Sequence, residues 1–293
     1  MVSTAEIDSS HKEYSDQWLI ANYLKYGSVE AVFSAYSWQI PFSVPEYHRR
    51  VKKAGIVKGD GRSNKSIASA LYIFLQRALA PDLSLEKIYR SMPIKLRDAR
   101  LSSIYRIYDS ILRGKTRRLA VGAVISPEYD PRQVLVADET MTQISSAKTQ
   151  GQATIPFGFA SRRQSFDNTV LRVLQREFSS DLALSGDLVI GGELSNRLIP
   201  KDSKPFLELQ ILDVRVLAAN IILPEEFCDL SCCTSFTVKN HRFVRLEQLL
   251  DGSINLRTGM GEIFQVYKNL LEDSAFEPRF ELSALNKALL PNF

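Results

Sequence analysis

The chain has 293 residues, 45% of them hydrophobic and 24% charged, an ordinary globular composition with enough length for two domains. No apolar run approaches the roughly 18 residues of a membrane-spanning helix, and the polar, acid-bearing start lacks the order of a secretion signal, so neither is expected. The net charge of +4 is uneven: residues 1–116 hold 18 Lys and Arg against 11 Asp and Glu, whereas residues 117–293 hold 19 against 22. The basic first part predicts a polyanionic partner, although a modest basic excess is also common in folded domains.

The first stretch, residues 14–62, predicts three short helices after a flexible N-terminus, residues 1–13. Apolar residues recur at helical spacing over 16–26, and Gly27 ends that helix. A second helix follows the N-cap Ser28, and a third follows a break in the apolar pattern.

The third helix is strongly basic, and the three helices together resemble a helix-turn-helix DNA-binding unit. Its start has the S-x-x-E pattern of a capping box, from Ser43 to Glu46. In that geometry the helix enters the major groove with its N-terminus first. The residues expected nearest the base edges are Ser43, Glu46, Tyr47 and Arg50, and those expected at phosphates are Arg49, Lys52 and Lys53. A small helical bundle with a solvated basic face is the alternative.

Residues 63–115 predict a second set of helices, and they fit a second helix-turn-helix unit or a structural or dimerising layer equally well. The helices are predicted over 64–79, 84–92 and 99–114. Outward residues of the last helix would contact DNA under the first interpretation: Arg100, Ser102, Ser103 and Arg106.

From residue 117 the apolar pattern changes to that of strands. "RRLAVGAVISP" and "QVLVADE" predict a β-hairpin, and a helix is predicted over 166–178 after the N-cap Ser165. Further strands are predicted at "DLVIGGEL", within "FLELQILDVRVLAANIIL" and before "LEQLL", and "GMGEIFQVYKNLLE" predicts a closing helix. The chain is therefore predicted to be an α+β multidomain protein, with a mixed-sheet domain over 116–275 and a C-terminal tail over 276–293.

The order of these elements resembles the Nudix hydrolase fold, an α/β/α sandwich with a mixed sheet. The family's box reads G-x5-E-x7-R-E-U-x-E-E-x-G-U, where U is a bulky aliphatic residue. Starting at Gly158, the box arginine matches Arg172. The four acidic positions fall on Gln164, Val173, Arg176 and Glu177.

The resemblance implies a degenerate box in which only Glu177 remains of the acids. A diphosphate substrate needs Mg²⁺ to screen its charge, and one carboxylate beside an arginine holds such a hard cation poorly. No metal or catalytic residue is therefore expected, and Glu177 and Mg²⁺ would matter only if hydrolysis survives. The residues that would bind an anionic nucleotide without metal are Arg162, Arg163, Arg172, Arg176 and Glu177. Solvent-exposed arginines that bind nothing are the alternative.

The cysteines are clustered and odd in number. Cys228, Cys232 and Cys233 lie within six residues, which argues against a disulfide framework and favours a reducing, cytoplasmic location. Their spacing with His241 is poor for tetrahedral zinc, so buried apolar cysteines are expected instead.

The whole plan resembles the Nudix-related transcriptional regulators, which respond to ADP-ribose or similar nucleotides. Their DNA-binding unit usually lies at the C-terminus, whereas here it lies at the N-terminus. The resemblance implies double-stranded DNA as a partner, an ADP-ribose-like effector and a homodimer. A Nudix hydrolase of nucleoside diphosphate-linked compounds with a nucleic-acid-binding arm is the alternative function, and an adaptor that only dimerises or binds protein is a third.

Overall fold

The computed structural model describes residues 14–56, 65–78, 84–94, 97, 100–143, 148–160, 164–177, 199, 203–230, 235 and 237–289. Helices precede a part of strands and flanking helices, so the chain has the predicted α+β composition. The helices of the N-terminal part are α1 (Asp16–Tyr26), α2 (Val29–Ala35), α3 (Val44–Lys53), α4 (Lys65–Ala78), α5 (Leu85–Ser91) and α6 (Leu101–Leu112).

Helices α1, α2 and α3 form the first helical unit around a shared apolar core. Two of them begin at the predicted N-caps, because the hydroxyls of Ser28 and Ser43 accept hydrogen bonds from backbone N–H groups three residues later. Gly27 ends α1 with a φ of 76°, a left-handed conformation that glycine adopts without strain. Local sequence preferences and tertiary packing therefore agree throughout this unit.

Tyr47 has a different role from the predicted contact with base edges. Its side chain is fully buried, and its hydroxyl donates a 2.6 Å hydrogen bond to the backbone carbonyl of Leu19 in α1. Helical spacing puts Tyr47 on the same face of α3 as the buried Val51. The prediction was wrong because the face that carries Tyr47 is the core face, and the residue fixes α3 on α1.

Helices α4, α5 and α6 form the second helical unit. Its core contains Leu71, Phe74, Ile88 and Ile104, and it also takes in Leu212 from the C-terminal part of the chain. The second helical unit is therefore packed against the strands that follow it.

The C-terminal domain consists of eight strands, four α-helices and one short 3₁₀-helix, Glu225–Phe227, among the described residues. The strands are β1 (Arg118–Pro127), β2 (Gln133–Glu139), β3 (Ala153–Thr154), β4 (Phe157–Ala160), β5 (Leu207–Ile211), β6 (Val214–Leu223), β7 (Val238–Arg245) and β8 (Arg279–Leu282). The helices are α7 (Phe166–Glu177), α8 (Leu246–Leu250), α9 (Met260–Glu272) and α10 (Ala284–Leu289). The predicted strand "DLVIGGEL" lies outside the described residues.

The strands form two sheets. The first is mixed, as predicted, with the order β4-β1-β6-β5-β8, and β1 runs parallel to β6 and antiparallel to β4. The second has the order β3-β2-β7 and is antiparallel. Alternate residues of β1 face two cores, one containing α9 and the other α7, so helices cover both sides of the strands.

The predicted hairpin of β1 and β2 is wrong, because the two strands belong to different sheets. The last eight residues of β1 are all buried, so β1 is a central strand whose two neighbours, β4 and β6, satisfy its backbone groups. The turn between Pro127 and Gln133 carries the chain from one sheet to the other instead of reversing it. The hairpin lies elsewhere: the long apolar run forms β5 and β6, which turn at Leu212 and Asp213.

The tip of the β5–β6 hairpin joins three parts of the chain. Leu212 has a φ of 53° and inserts its side chain into the core of the second helical unit. The carboxylate of Asp213 is fully buried and pairs with Arg117 at 3.0 Å and Arg118 at 2.8 Å, at the entry to β1. Asn286 of α10 accepts from the Leu212 backbone N–H at 2.5 Å. The segment predicted as a C-terminal tail thus contributes β8 to the first sheet and α10 to this junction.

Candidate functional site

Helix α7, whose sequence resembles the Nudix box, packs closely against β4. The hydroxyl of Ser165 accepts from the backbone N–H of Asn168 at 3.3 Å, which confirms the predicted N-cap. Val173, at an acidic box position, is buried in the core that α7 shares with β1. A Cβ atom added to Gly158 would lie 2.8 Å from a Val173 methyl group, so the two elements approach too closely for any larger residue there. An apolar contact occupies the place where the box has a carboxylate.

Glu177, the acid that remains, is bound by protein groups. Its side chain is 8% exposed and lies at the end of α7. The hydroxyl of Thr237 donates to its Oε2 atom, and that of Ser235 donates to the same atom at 3.1 Å. The Nε atom of Arg176 lies 3.6 Å from its other oxygen. Nε2 of His241 lies 3.0 Å from the Glu177 backbone carbonyl.

A second buried carboxylate, that of Glu139, lies at the end of β2. Its side chain is 2% exposed and sits between two buried cations, with Lys148 Nζ 2.6 Å from Oε2 and Arg257 Nη1 3.1 Å from Oε1. The Lys148 and Arg257 side chains are 11% and 8% exposed. We call Glu139, Lys148, Arg257 and Glu177 the buried charge cluster.

Arg257 is held in the buried charge cluster by backbone and ring contacts. Its backbone N–H donates to the carbonyl of Ala153 in β3 at 2.9 Å, and its guanidinium lies over the Phe157 ring, 4.4 Å from the centroid. Burial lowers the pKa of Arg257, while the nearby charges of Glu139 and Glu177 oppose that effect. The guanidinium stays charged at neutral pH because its ordinary pKa lies so high.

The two carboxylates of the cluster are connected through the start of β7. Thr140, directly after Glu139, donates from its hydroxyl to the backbone carbonyl of Thr237 at 2.8 Å. Thr237 in turn donates its own hydroxyl to Glu177. Glu139 and Glu177 therefore lie on either side of one short piece of backbone, with Arg257 within electrostatic reach of both.

These residues do not fit the Mg²⁺ ion that a Nudix-like domain implies. In the described part of the chain, no group of three or more His, Cys, Asp or Glu side chains could hold a metal ion. Val173 has no oxygen to offer, and the oxygens of Glu139 and Glu177 already accept from buried protein donors. A hard cation needs several free oxygens, which this arrangement does not provide. Cys232 and Cys233 lie outside the described residues.

The predicted ligand arginines fall into three groups. Arg162 and Arg163 lie outside the described residues. Arg172 is half-buried on α7. Arg176 is 43% exposed and directs its guanidinium toward the first helical unit, where a Cβ added to Gly27 would lie 3.5 Å from its Nη1 atom. Arg176 and Glu177 are thus neighbours, but Arg176 lies at the boundary with α1 and Glu177 faces the sheet.

The basic face of α3 is only partly available to a partner. Hydrogen bonds from Arg49 and Arg50 hold the pKa of the Glu46 carboxyl at about 2. Because the Glu46 carboxylate is bound to these arginines, only the Ser43 half of the predicted capping box is formed. Arg50 also pairs with Asp16 of α1 at 3.2 Å. Ser43, Glu46 and Arg50 therefore bind within the first helical unit, and the exposed cations of α3 are Arg49, Lys52 and Lys53.

The predicted DNA face of α6 is exposed for the most part. Arg100, Ser102 and Arg106 are exposed, and Ser103 is half-buried. Arg100 precedes α6 without capping it through its side chain. These four residues lie on the first half of the helix, away from the junction with the β5–β6 hairpin at its far end.

Sequence reasoning missed most of the buried charge cluster. Glu139, Lys148 and Arg257 come from three separate segments, and Ser235 and Thr237 are ordinary residues before a strand. The one available indication was Glu139, an acid that ends a strand whose centre is apolar. Lys148 and Arg257 have no pattern around them.

In the described part of the chain, no helix combines the length and apolarity that crossing a bilayer requires.

No family model matches the chain, and no curated protein matches it. Solved structures similar to it include the MutT protein from Methanosarcina mazei Go1, 15% identical, with a TM-score of 0.37 over 54% of this chain and 98% of that chain. An ADP-ribose pyrophosphatase from Streptococcus suis 89-1591 is 14% identical, with a TM-score of 0.36 over 57% of this chain and 100% of that chain. A Nudix hydrolase from Nitrosomonas europaea is 15% identical, with a TM-score of 0.35 over 57% of this chain and 78% of that chain.

Proposed function

We propose that this chain is a DNA-binding transcriptional regulator whose C-terminal domain is Nudix-like and does not hydrolyse nucleotides. The observation that carries the proposal is the exposed basic face of α3, formed by Arg49, Lys52 and Lys53 on a three-helix unit. Tyr47 and Arg50 hold that helix on α1, so the positions of its exposed cations are fixed relative to the rest of the unit. A rigid basic helix is what major-groove binding requires.

The three cations would act mainly on DNA phosphates. Each phosphate that a lysine or arginine neutralises releases counterions, so affinity falls as salt rises. Three such contacts per unit give a slope of log affinity against log salt of roughly −3. The exposed Arg100 and Arg106 of α6 would extend the same surface, and a homodimer would present it twice along the duplex.

The effector would be an anionic nucleotide of the ADP-ribose kind. Arg176 supports this part of the proposal because its guanidinium is partly exposed between α7 and the first helical unit. A phosphate group that bound Arg176 would draw the guanidinium from Glu177 and from Gly27. The position of the first helical unit on α7 would then depend on the ligand, which is how binding could change DNA affinity.

A Nudix hydrolase remains the second candidate, because two buried carboxylates, Glu139 and Glu177, lie on adjoining elements. It would need Mg²⁺, and both carboxylates are already paired with protein donors. The regulator is favoured for that reason.

The proposal is tested by titrating duplex DNA of mixed sequence at two salt concentrations. The wild type is expected to bind with a steep salt slope, and the triple variant R49A/K52A/K53A is expected to lose most of its affinity and of its slope. The matched control, K239A/R245A/K287A, removes three exposed cations from the C-terminal domain and is expected to bind as the wild type does.

Two results would overturn the proposal. Equal losses of DNA affinity in both triple variants would mean that binding depends only on the net charge of the chain. Mg²⁺-dependent turnover of ADP-ribose by the wild type, abolished by Glu177→Gln, would establish the hydrolase instead.

A further inference from the structure

The carboxylates of the buried charge cluster are neutralised by cations of the protein, and the partly exposed Arg176 lies 3.6 Å from Glu177 in addition. The cluster contains two carboxylates, Glu139 and Glu177, and two cations, Lys148 and Arg257, and none of the four side chains is more than 11% exposed. Charges taken out of water are tolerated only when they are paired. A divalent cation added to these paired carboxylates would leave an excess of positive charge in a buried place.

Arg257 is the member of the cluster that pairs with Glu139 from the side opposite the β2–β7 backbone. It donates to Glu139 directly, and it lies close enough to Glu177 for the two charges to attract. The two carboxylates lie beside β2 and β7, where Thr140 bonds to the Thr237 backbone and Thr237 bonds to Glu177. Arg257 belongs to the segment that precedes α9. Its attachment to Ala153 and its contact with Phe157 leave the guanidinium little freedom to move away.

We propose that Arg257 supplies from the protein itself the positive charge that a divalent cation would supply at Glu139, so that the C-terminal domain is complete without metal. The inference rests on the proposed Nudix-like domain only for the expectation of a metal. DNA binding by α3 plays no part in it, so either idea can fail without the other.

Removal of the Arg257 charge has a specific consequence. Glu139 would then keep only Lys148, and Glu177 would keep only the partly exposed Arg176, so the negative charge inside the cluster would be less well neutralised. Carboxylate oxygens released from a guanidinium are hard ligands that suit Mn²⁺ or Mg²⁺. Arg257→Ala is therefore expected to create a response to divalent cations that the wild type does not have.

The test is thermal unfolding of the full chain in metal-free buffer, with and without millimolar Mn²⁺, together with direct measurement of bound Mn²⁺. Arg257→Ala is expected to unfold at a lower temperature than the wild type and to recover part of the loss when Mn²⁺ is added. Its Mn²⁺ affinity should exceed that of the wild type by at least about tenfold. Arg257→Lys keeps a cation, so its unfolding temperature is expected not to change when Mn²⁺ is added. The double variant E139Q/R257A should lose the stabilisation by Mn²⁺ that Arg257→Ala shows.

Several results decide against the inference. If the wild type itself binds Mn²⁺ tightly and Glu139→Gln abolishes that binding, the cluster is a metal site and Arg257 does not replace the ion. If Arg257→Ala is folded but does not respond to Mn²⁺, Arg257 is only a structural partner of Glu139. If that variant fails to fold without metal, refolding in the presence of Mn²⁺ becomes the measurement, and failure to recover there also overturns the inference.

Discussion

The side-chain amide of Gln175, on α7, donates a 3.0 Å hydrogen bond to the backbone carbonyl of Gly55, 120 residues earlier in the chain. Gln175 is buried, and its neighbour Arg176 lies against Gly27 of the same first helical unit. The end of α3 and the end of α1 are therefore both placed on the helix that carries the degenerate box. A regulator that couples a ligand at α7 to DNA at α3 would use this contact.

Replacement of Gln175 by alanine should loosen the first helical unit. The variant removes the hydrogen bond to the carbonyl of the exposed Gly55, which costs about 0.5–1.5 kcal/mol of unfolding free energy. Urea unfolding gives the free energy, and amide hydrogen exchange in α1–α3 shows whether the loss is local. Gln248→Ala, at an exposed position on α8, is the matched control and should change neither. Unchanged exchange in α1–α3 would mean that other contacts hold the unit.

The Glu46 carboxylate is expected to restrain DNA binding. It accepts hydrogen bonds from Arg49 and Arg50, so Glu46→Gln would free the Arg49 guanidinium of a competing anion, while Arg50 keeps its pair with Asp16. Duplex DNA affinity should rise in the variant, and the salt slope should steepen by roughly 1. Glu30→Gln, which removes an exposed acid from α2, controls for net charge. Equal gains in the two variants would contradict a specific role for Glu46.

The same carboxylate predicts a pH dependence of stability. Its pKa is about 2 in the folded chain against an ordinary value of 4.5. Because the folded pKa is the lower one, the contribution of Glu46 is present above pH 4.5 and is lost as the pH falls toward 2. Urea midpoints measured at several pH values in this window should converge for the wild type and Glu46→Gln at the acid end. If the urea midpoints of the two proteins differed by the same amount at every pH, the charge of Glu46 would not be the source of its contribution to stability.

The buried carboxylate of Asp213 is expected to matter more than any exposed ion pair. It pairs with Arg117 and Arg118 and lies beside Leu212, which packs in the second helical unit. Asp213→Asn removes the charge and leaves two half-exposed arginines facing each other, at a cost of about 2–4 kcal/mol. Asp109→Asn breaks an exposed pair with Arg113 and should cost less than about 0.5 kcal/mol. If the two variants lost equal amounts of unfolding free energy, the buried pairs of Asp213 would contribute no more to stability than an exposed ion pair does.

Local patterns predicted most of the fold, and contacts between distant segments account for what they did not predict. The bounds of α1 and the caps of α2 and α3 follow from neighbouring residues, as does the position of α7 after Ser165. The hairpin of β1 and β2 was wrong because strand pairing depends on β4 and β6, which are far along the chain.

The candidate site was predicted only as far as α7. The box register left Glu177 as the one remaining acid, and the structure places its carboxylate beside Arg176, Ser235 and Thr237. One of the two cations beside Glu139 is Arg257, 118 residues away from it, and no spacing rule connects the two. A buried ion pair of this kind becomes visible only when the strands that bring its members together are known.

Restoration of a box acid on α7 should not restore a metal site. Val173→Glu places a carboxylate where the side chain is buried and where Gly158 leaves no space, so the charge would be unpaired in the core. We expect a loss of about 3–5 kcal/mol of unfolding free energy and no Mg²⁺-dependent hydrolysis of ADP-ribose. Val173→Thr has nearly the same shape without a charge and should cost only about 1–2 kcal/mol. Wild-type stability in Val173→Glu, together with stabilisation by Mg²⁺, would show that this face of α7 still accommodates a cation.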